Sequence, residues 1–321
     1  MSITTSSKPF TPEESLLFQQ KFGERVRFEE RLAPYLAYRV GGPAECLVFP
    51  ANEEELLWIS EFSQKTNRQI TIIGNGTNLL VSDRGIRGIT ISLLKAFQAI
   101  SLERETSPDT VWVRSGGGVE KSKLLEWAIL QGLTGLEFSS GVPGTIGGGI
   151  FMNAGTKYGC YGDILRSLRL FDFSQGVREL SRHEAHFGYR EQTAVKGTLV
   201  TSVVFELKRA DSLTIRAEVE RIIAERAEKQ PLDYPSCGST FKNPPEGLSA
   251  GRLIERAGLK GLSVGGAEVS TKHANFILNK GNATAEDIIT LIRLIKAKVK
   301  ETFQVQLECE VIILGEVSPE Q

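Results

Sequence analysis

The sequence predicts an α+β protein of two or three domains, from its length, its alternation of strand and helix patterns, and its placement of glycines. Its 321 residues exceed what one minimal core needs. The first part of the chain alternates β-branched segments with amphipathic ones, which is typical of small α/β units. Strand-like segments then follow one another and predict a mostly antiparallel sheet, and the last third returns to an α+β pattern.

Composition and charge exclude several classes of protein. Hydrophobic residues make up 40% and charged residues 24% of the chain, as in ordinary soluble proteins. A formal net charge of −1 with no long basic run argues against nucleic-acid binding. No segment has the apolar length of a signal peptide or a membrane span. The four cysteines form no CxxC pair, which favours reduced thiols. We expect a cytoplasmic monomer without a metal site.

Local signals predict the first elements. Thr11 reads as an N-cap that is followed by a proline and the capping-box acid Glu14, so a short helix should run to Gly23. Asn52 reads as the N-cap of a second helix, because three glutamates follow it in the first turn. Residues 69–73 are β-branched and predict a strand that ends in the first glycine cluster.

The remaining elements follow from the same periodicities and caps. Residues 187–190 are expected in a loop, and a domain boundary is expected near residue 212, because the pattern beyond it repeats neither earlier unit. We predict strands at residues 110–114, 164–173, 177–180, 199–207, 273–279 and 307–314, and helices at 119–131, 213–228, 249–257 and from a capping box at Thr284 to about residue 303.

Three glycine clusters lie at residues 74–78, 116–118 and 141–149. Glycine allows backbone N–H groups to surround an anion, for which a diphosphate is the usual case. None of the clusters is a P-loop, and none is a GxGxxG that opens a helix of a βαβ unit. One such cluster alone would favour a structural turn. Three in one half of the chain, two with a hydroxyl and an amide nearby, favour a dinucleotide site.

Residues 235–245 hold three prolines and one glycine, so this segment is predicted to be a rigid loop. It carries the hydroxyl of Ser239, the thiol of Cys237 and the amide of Asn243, which is more polar chemistry than a connector needs. The loop alone is equally consistent with a surface turn. Cys237 is not expected to be a nucleophile, since no histidine or helix N-terminus is paired with it in the sequence.

Few other side chains suggest chemistry. His183 and His186 have metal-ligand spacing, but no carboxylate or cysteine cluster joins them. Hydrolase motifs such as G-x-S-x-G are absent from the sequence. Arg190 could bind a carboxylate, Ser239 could protonate a basic carbanion, and Glu310 lies in a third segment. By periodicity alone, each of these three is more often a surface residue than a catalytic one.

Taken together and in order, four motifs resemble the UDP-N-acetylenolpyruvoylglucosamine reductase (MurB) family. They are GNGTNLLV at 74–81, GVPGTIGG at 141–148 with NAG at 153–155, FGYR at 187–190, and KQPL at 229–232 followed by PSCGSTFKNP at 235–244. The resemblance extends from about residue 38 to residue 316. The short segment after FGYR is similar to the compact subtype of the family, which lacks a substrate-covering insertion.

The resemblance implies a flavoprotein of the vanillyl-alcohol-oxidase-like type. Its expected parts are a helical leader (1–26), an FAD-binding domain of two α/β subdomains (27–212, divided at about 95), and an α+β substrate domain (213–321). NADPH would reduce a non-covalent FAD, and the reduced enzyme would convert an enolpyruvyl UDP-sugar to UDP-N-acetylmuramate. This step belongs to peptidoglycan synthesis and cell wall biogenesis, and hence to cell shape and division.

The family's functional residues transfer position by position. Ser239 matches the proton donor, and Arg190 and Glu310 match the pair that stabilises the enolic intermediate. Substrate-binding positions match Tyr189, Lys229, Asn243 and His273. Cofactor-binding positions match Gly74, Asn75, Gly76, Thr77, Asn78, Gly141, Gly144, Thr145, Gly147, Gly148 and Arg226.

One departure from the family pattern matters for the site. Glu191 and Gln192 follow Arg190 where a serine is usual one or two residues on, and a negative charge that pointed inward would weaken the role given to Arg190. Two other departures are conservative in function: Gly149 stands where the family usually has alanine, and Gly76-Thr77-Asn78 stands where it has glycine, serine and asparagine.

Two alternatives remain open. A related FAD-dependent oxidase of sugars or lactones would often tether its flavin through a histidine, and no glycine motif here contains one. A catalytically inactive nucleotide-binding regulator would not need Ser239, Arg190 and Glu310, all of which are retained.

Overall fold

The computed structural model describes residues 8–316, so the outer ends of the predicted leader and substrate domain, residues 1–7 and 317–321, lie outside the described residues. The chain divides into two compact units, and neither is continuous in sequence. Unit 1 takes its residues from Met1–Arg27, Leu47–Asn75 and Ile89–Arg226, and unit 2 takes its residues from Phe28–Cys46, Gly76–Gly88 and Ala227–Gln321.

Helices and strands alternate along much of the described chain. The helices are α1 (Pro12–Phe22), α2 (Glu53–Thr66), α3 (Lys121–Leu130), α4 (Ile146–Phe151), α5 (Tyr161–Ile164), α6 (Ser212–Lys229), α7 (Ala250–Arg256) and α8 (Ala285–Phe303). The strands are β1 (Val26–Arg31), β2 (Pro43–Val48), β3 (Ile70–Ile73), β4 (Leu79–Val81), β5 (Ile86–Ser92), β6 (Ile100–Ser107), β7 (Thr110–Gly116), β8 (Leu133–Thr134), β9 (Gly155–Thr156), β10 (Gly159–Cys160), β11 (Leu165–Asp172), β12 (Gly176–Ser181), β13 (Phe187–Gly188), β14 (Glu191–Gln192), β15 (Thr198–Arg209), β16 (Ser263–Val264), β17 (Ala267–Val269), β18 (Ile277–Asn279) and β19 (Ile312–Leu314).

The predicted helix caps are confirmed. Thr11 and Glu14 form a reciprocal capping box at α1, with the Glu14 N–H donating to Thr11 Oγ1 at 3.2 Å and the Thr11 N–H donating to the Glu14 carboxylate at 2.8 Å. The Asn52 side chain caps α2 by accepting from an N–H of the first turn. Thr284 and Asp287 form the box at α8. Such caps need only residues near in sequence, which is why sequence patterns find them.

Unit 1 contains the predicted antiparallel sheet, in the order β12-β11-β15-β7-β6 with β8 beside β15. Its core is formed by buried side chains of the sheet and of the helices packed on it, such as Val113, Leu124, Ile146 and Phe205. Strand β6 and helix α4 were not predicted, because β6 is largely exposed and the α4 sequence is rich in glycine. Strand β3 pairs in parallel with β5, in a sheet of order β1-β2-β5-β3.

Unit 2 packs α7 and α8 with a three-stranded sheet of order β16-β17-β18, and β19 pairs in parallel with β4. Helix α8 buries an apolar stripe of Ile288, Leu291, Ile295 and Val299, whose spacing of three to four residues is that of one helix face. Together the two units confirm the predicted α+β class.

Two predicted strands and one predicted loop were wrong in extent. Of the strand predicted at 273–279, only β18 forms, because the Ser270 hydroxyl accepts from the N–H groups of Lys272 and His273 and turns the chain. Of residues 307–314, only β19 is regular, because the preceding residues pair with the proline-containing loop, and proline lacks the N–H that a ladder requires. The predicted loop at 187–190 belongs to the hairpin of β13 and β14.

Within residues 8–316, no helix combines the length and the apolar character that crossing a bilayer requires. The same residues contain no group of three histidine, cysteine or acidic side chains that could hold a metal ion.

Candidate active site

The segment at residues 235–245 (the Ser239 loop) is held in unit 2 by backbone hydrogen bonds of Thr240, the residue that follows its serine. The Thr240 N–H donates to the Asn275 carbonyl at 2.8 Å, and the Glu310 N–H donates to the Thr240 carbonyl at 2.8 Å. Ser239 itself remains partly exposed. The structure therefore brings Ser239 and Glu310 to neighbouring backbone positions and leaves the serine accessible.

Asn275, which the sequence did not single out, fixes the same loop with its side chain. Its Nδ2 donates to the Phe241 carbonyl at 2.8 Å, and its Oδ1 accepts from the Phe241 N–H at 3.0 Å. Asn275 is 4% exposed and Phe241 is 1% exposed, so both bonds are shielded from water. An asparagine between two apolar residues carries no sequence signal for a partner 34 positions away.

Asn78 supports Glu310 within unit 2. The Asn78 Nδ2 donates to the Glu310 carbonyl at 3.0 Å, and the Ile312 N–H donates to the Asn78 carbonyl at 3.0 Å. Gly76 has φ +60°, and a Cβ at this position would lie 2.3 Å from the Tyr35 carbonyl oxygen, so only glycine fits. These two members of the first glycine cluster, whose neighbour Thr77 lies between them, thus have structural roles in unit 2.

Cys237 is a structural residue of the loop. Its thiol donates to the Leu79 carbonyl at 3.3 Å, and burial raises its pKa above the ordinary thiol value. A buried, protonated thiol is a poor nucleophile, which agrees with the expectation from sequence.

The substrate-binding positions predicted in unit 2 differ in exposure. Asn243 is exposed, and its Oδ1 accepts from the Ala250 N–H at 3.1 Å at the start of α7. Lys229 is exposed at the end of α6. His273 is partly buried, its Nδ1 accepts from the Asn275 N–H at 3.3 Å, and burial lowers its pKa, so it is neutral at pH 7.

Arg190 lies in a two-residue turn of unit 1, between β13 and β14. It has φ +53°, a left-handed conformation that is uncommon for a non-glycine residue. The turn is held by Asn153, whose Nδ2 donates to the Gly188 carbonyl at 2.8 Å and whose Oδ1 accepts from the Gly162 N–H at 3.0 Å. The Arg190 guanidinium lies 5.4 Å from the centroid of the Tyr189 ring, and Tyr189 is 57% exposed.

Glu191, the departure that put Arg190 in question, faces solvent. Its side chain is 54% exposed, and its carboxylate lies 3.6 Å from Lys196 Nζ. The side chain therefore does not carry its charge into the interior of unit 1.

Gly74 and the second and third glycine clusters make close contacts within unit 1. A Cβ at Gly74, which Asn75 follows, would lie 2.9 Å from Thr145 Oγ1, and a Cβ at Gly147 would lie 3.0 Å from the Gly117 carbonyl oxygen. The Gly148 N–H donates to Thr145 Oγ1 at 3.2 Å, and the Gly147 N–H donates to the Gly117 carbonyl at 2.8 Å. The N–H groups of Gly147 and Gly148 are therefore already paired within the protein.

The cluster at residues 116–118 is required by packing. A Cβ at Gly116, Gly117 or Gly118 would lie 1.8, 1.9 or 2.0 Å from a backbone carbonyl oxygen. No side chain fits at such distances, so the glycines there are explained without a ligand.

Two positively charged side chains, Arg226 and Lys121, lie beside the third cluster, the segment 141–149 (the glycine loop). Arg226 Nη2 donates to the Gly141 carbonyl at 3.3 Å, and burial lowers the pKa of this arginine. Next to Gly144, Lys121 is buried, and its pKa is lowered to about 8, first by burial and then by the positive charges of Arg190 and Arg226. No carboxylate within residues 8–316 forms an ion pair with Lys121 or Arg226. Excess cations at a glycine loop fit an anionic group such as a dinucleotide diphosphate.

Two family models match the chain. Residues 44–181 match the model described as FAD binding domain, and residues 230–314 match the model described as UDP-N-acetylenolpyruvoylglucosamine reductase, C-terminal domain.

Relatives and a solved structure agree with these matches over nearly the whole chain. A UDP-N-acetylenolpyruvoylglucosamine reductase of Clostridium tetani is 41% identical over 303 residues, 94% of this chain and 96% of that protein. One of Pediococcus pentosaceus is 42% identical over 91% of this chain and 95% of that protein. The crystal structure of the enzyme (MurB) from Thermus caldophilus aligns with a TM-score of 0.76 and 35% identity, covering 90% of this chain and 98% of that one.

Proposed function

Because the chain belongs to the UDP-N-acetylenolpyruvoylglucosamine reductase family and contains an FAD-binding domain, we propose that it reduces UDP-N-acetyl-3-O-(1-carboxyvinyl)-glucosamine to UDP-N-acetylmuramate with NADPH. It is an FAD-dependent oxidoreductase. The observation that carries the proposal is the Ser239 loop, in which a partly exposed hydroxyl directly precedes Thr240, whose carbonyl pairs with the backbone N–H of Glu310.

The reaction is a conjugate reduction, and it needs one proton donor. Hydride adds to the terminal vinylic carbon, and the electron pair of the double bond moves toward the carboxylate as an enolate. The Ser239 hydroxyl then gives its proton to the adjacent carbon, and water restores the serine. A positioned proton donor contributes roughly 10²–10⁴-fold to such a step.

The cationic and acidic partners have separate roles. Arg190 can bind the substrate carboxylate bidentately and stabilise the negative charge that builds on it. Glu310 can hold the proton of an enolic oxygen. Tyr189, Lys229, Asn243 and His273 would bind the sugar nucleotide, and the Lys229 ammonium, exposed at the end of α6, suits a diphosphate.

When bound, FAD would supply the two-electron chemistry that links NADPH to the substrate. The residues proposed to hold it are the glycine loop with Thr145, the Gly74–Asn78 segment and Arg226. Two observations support this assignment: Gly74 packs closely against Thr145, and the positive charge of Lys121 and Arg226 complements a diphosphate.

The same proposal gives each part of the chain a role and places the enzyme in the cell. Residues 27–212 would bind FAD, residues 213–321 would bind the sugar nucleotide, and residues 1–26 would form a leader. The enzyme would act as a cytoplasmic monomer in peptidoglycan precursor synthesis.

Anaerobic stopped-flow absorbance of the flavin tests the proposal. NADPH should bleach the flavin, and the colour should return only when the enolpyruvyl sugar nucleotide is added. Return of colour with oxygen alone at a comparable rate would identify a sugar or lactone oxidase instead. Failure of NADPH to bleach the flavin would identify an inactive nucleotide-binding protein.

A further inference from the structure

Lys121 is the first residue of α3, and the glycine loop folds around it. Its backbone N–H donates to the Gly144 carbonyl at 2.9 Å, and its Nζ donates to the Pro143 carbonyl at 3.2 Å. Lys121 is only 6% exposed. Since lysines are almost never fully buried without a partner charge, this one needs an explanation.

Gly149 makes the room that Lys121 occupies. A Cβ at Gly149 would lie 2.9 Å from Lys121 Cε and 2.9 Å from Tyr161 Cε2, closer than real Cβ contacts. Any side chain at residue 149 would therefore collide with the buried lysine in its present position.

The groups that face Lys121 do not neutralise it. Its Nζ lies 5.9 Å from the centroid of the Tyr161 ring, and burial keeps that phenol protonated by raising its pKa. Arg190 and Arg226 add positive charge. The preceding Glu120 has its carboxylate 3.6 Å from Lys123 Nζ, on the exposed side of the helix. A buried charge with only a neutral acceptor lowers the stability of the folded protein, and a bound anion would offset that loss.

We propose that Lys121, whose side chain occupies the space left at Gly149, is an additional cation that binds the phosphate-bearing ligand of the glycine loop. The ligand chemistry is a diphosphate, which the proposed function offers in two forms, FAD and the UDP-sugar. This inference rests on the proposed function only for the identity of those ligands, because binding is measured without turnover.

The charge of Lys121 gives the binding a pH dependence. A diphosphate favours the protonated lysine, so affinity should be constant below pH 8 and fall as the pH rises above the lysine pKa of about 8. The ligand-free protein should behave in the opposite way. Its lysine pKa lies below the ordinary value of 10.5, so the unfolded chain binds more protons between the two values and stability should rise across that range.

Lys121→Met tests the proposal, with Lys123→Met as the matched control, because Lys123 is two positions away and largely exposed. The Kd of FAD is measured by flavin fluorescence with apoprotein, and the Kd of UDP by calorimetry with FAD-loaded protein. Loss of a charged hydrogen bond should weaken one ligand roughly ten- to hundredfold in Lys121→Met and leave Lys123→Met unchanged. A higher Kd for FAD in Lys121→Met would show that Lys121 binds the cofactor, and a higher Kd for UDP would show that it binds the sugar nucleotide.

Stability separates lost binding from misfolding. The apoprotein of Lys121→Met should melt at a higher temperature than wild type at pH 7, because a buried charge is removed. Kd values for both ligands within twofold of wild type would overturn the proposal. If Lys121→Met does not fold, the wild-type affinities for FAD and for UDP between pH 7 and pH 9 decide instead, and the role of Lys121 is rejected if neither affinity falls above pH 8.

Discussion

The Ser239 loop of unit 2 and the glycine loop of unit 1 are both fixed in shape, but they differ in how their polar groups are satisfied. In unit 2, the Phe241 N–H and carbonyl both pair with the Asn275 side chain, in a site that excludes water. In unit 1, Lys121 and Arg226 carry buried or partly buried charge, and their side chains donate hydrogen bonds to the neutral carbonyls of Pro143 and Gly141.

The polar groups that hold the Ser239 loop are satisfied within the protein, whereas the charges at the glycine loop are compensated only when an anionic ligand binds. Directional hydrogen bonds hold the Ser239 loop ready before the substrate binds, which is what proton delivery needs. Uncompensated charge at the glycine loop reduces stability until an anion binds, so this region should gain most from its ligand.

The largest effect is expected from Ser239→Ala. Without the hydroxyl, reoxidation of the reduced flavin by the enolpyruvyl substrate should slow by roughly 10²–10⁴-fold, while reduction by NADPH proceeds at the wild-type rate. Stopped-flow absorbance measures both steps. Ser236→Ala, in the same loop, is the control and should behave as wild type. An unchanged reoxidation rate in Ser239→Ala would show that the proton comes from elsewhere.

Arg190→Met should slow the same step by roughly 10²–10³-fold, since one stabilising group for the developing charge is lost. Arg190→Lys should recover little of the rate, because an ammonium cannot bind a carboxylate bidentately. The control is Arg178→Met, whose guanidinium on β12 pairs with Asp172 of the neighbouring strand β11 at 3.4 Å. Full activity of Arg190→Lys would mean that charge alone, rather than the fork geometry, is used.

Asn275→Ala should destabilise the Ser239 loop. It leaves the buried Phe241 N–H and carbonyl without partners, at about 1–3 kcal/mol of unfolding free energy for each group. Urea unfolding measures this loss, and kcat should fall more than KM changes if the loop positions Ser239. The exposed Asn282→Ala should stay within about 0.5 kcal/mol of wild type. Equal stability of the two variants would show that the Asn275 bonds contribute nothing net.

The smallest effect is expected from Gly149→Ala in unit 1. The added Cβ would crowd Lys121 and Tyr161 and should cost about 1–3 kcal/mol. In a Lys121→Ala background part of the clash is absent, so the cost should shrink, with a coupling of about 0.5–2 kcal/mol in a double-mutant cycle. The same cycle with Lys123→Ala should be additive. If the free-energy changes of Gly149→Ala and Lys121→Ala are additive, the cost of a side chain at residue 149 does not depend on Lys121.

Sequence patterns predicted the local features well and the long-range ones poorly. The capping boxes at Thr11 and Thr284 were predicted because every atom involved lies within four residues. The pairing of Asn275 with Phe241 was not, because it joins segments 34 residues apart through one side chain. The strand predicted at 307–314 was too long because its apolar pattern does not reveal a partner segment that contains prolines.

The candidate site shows the same division. The motif order identified the family, and it supplied the roles proposed for Ser239, Arg190 and Glu310. Lys121 was missed because a lysine at the start of a helix normally faces water, and its burial depends on the space left at Gly149 in a different segment.

The most direct test of the central claim is the identity of the product. Purified enzyme is incubated anaerobically with NADPH and UDP-N-acetyl-3-O-(1-carboxyvinyl)-glucosamine, and the sugar nucleotide is analysed by mass spectrometry. The account predicts UDP-N-acetylmuramate, heavier than the substrate by two hydrogens and formed in an amount equal to the NADPH consumed. An unchanged sugar nucleotide, with or without NADPH consumption, would contradict it.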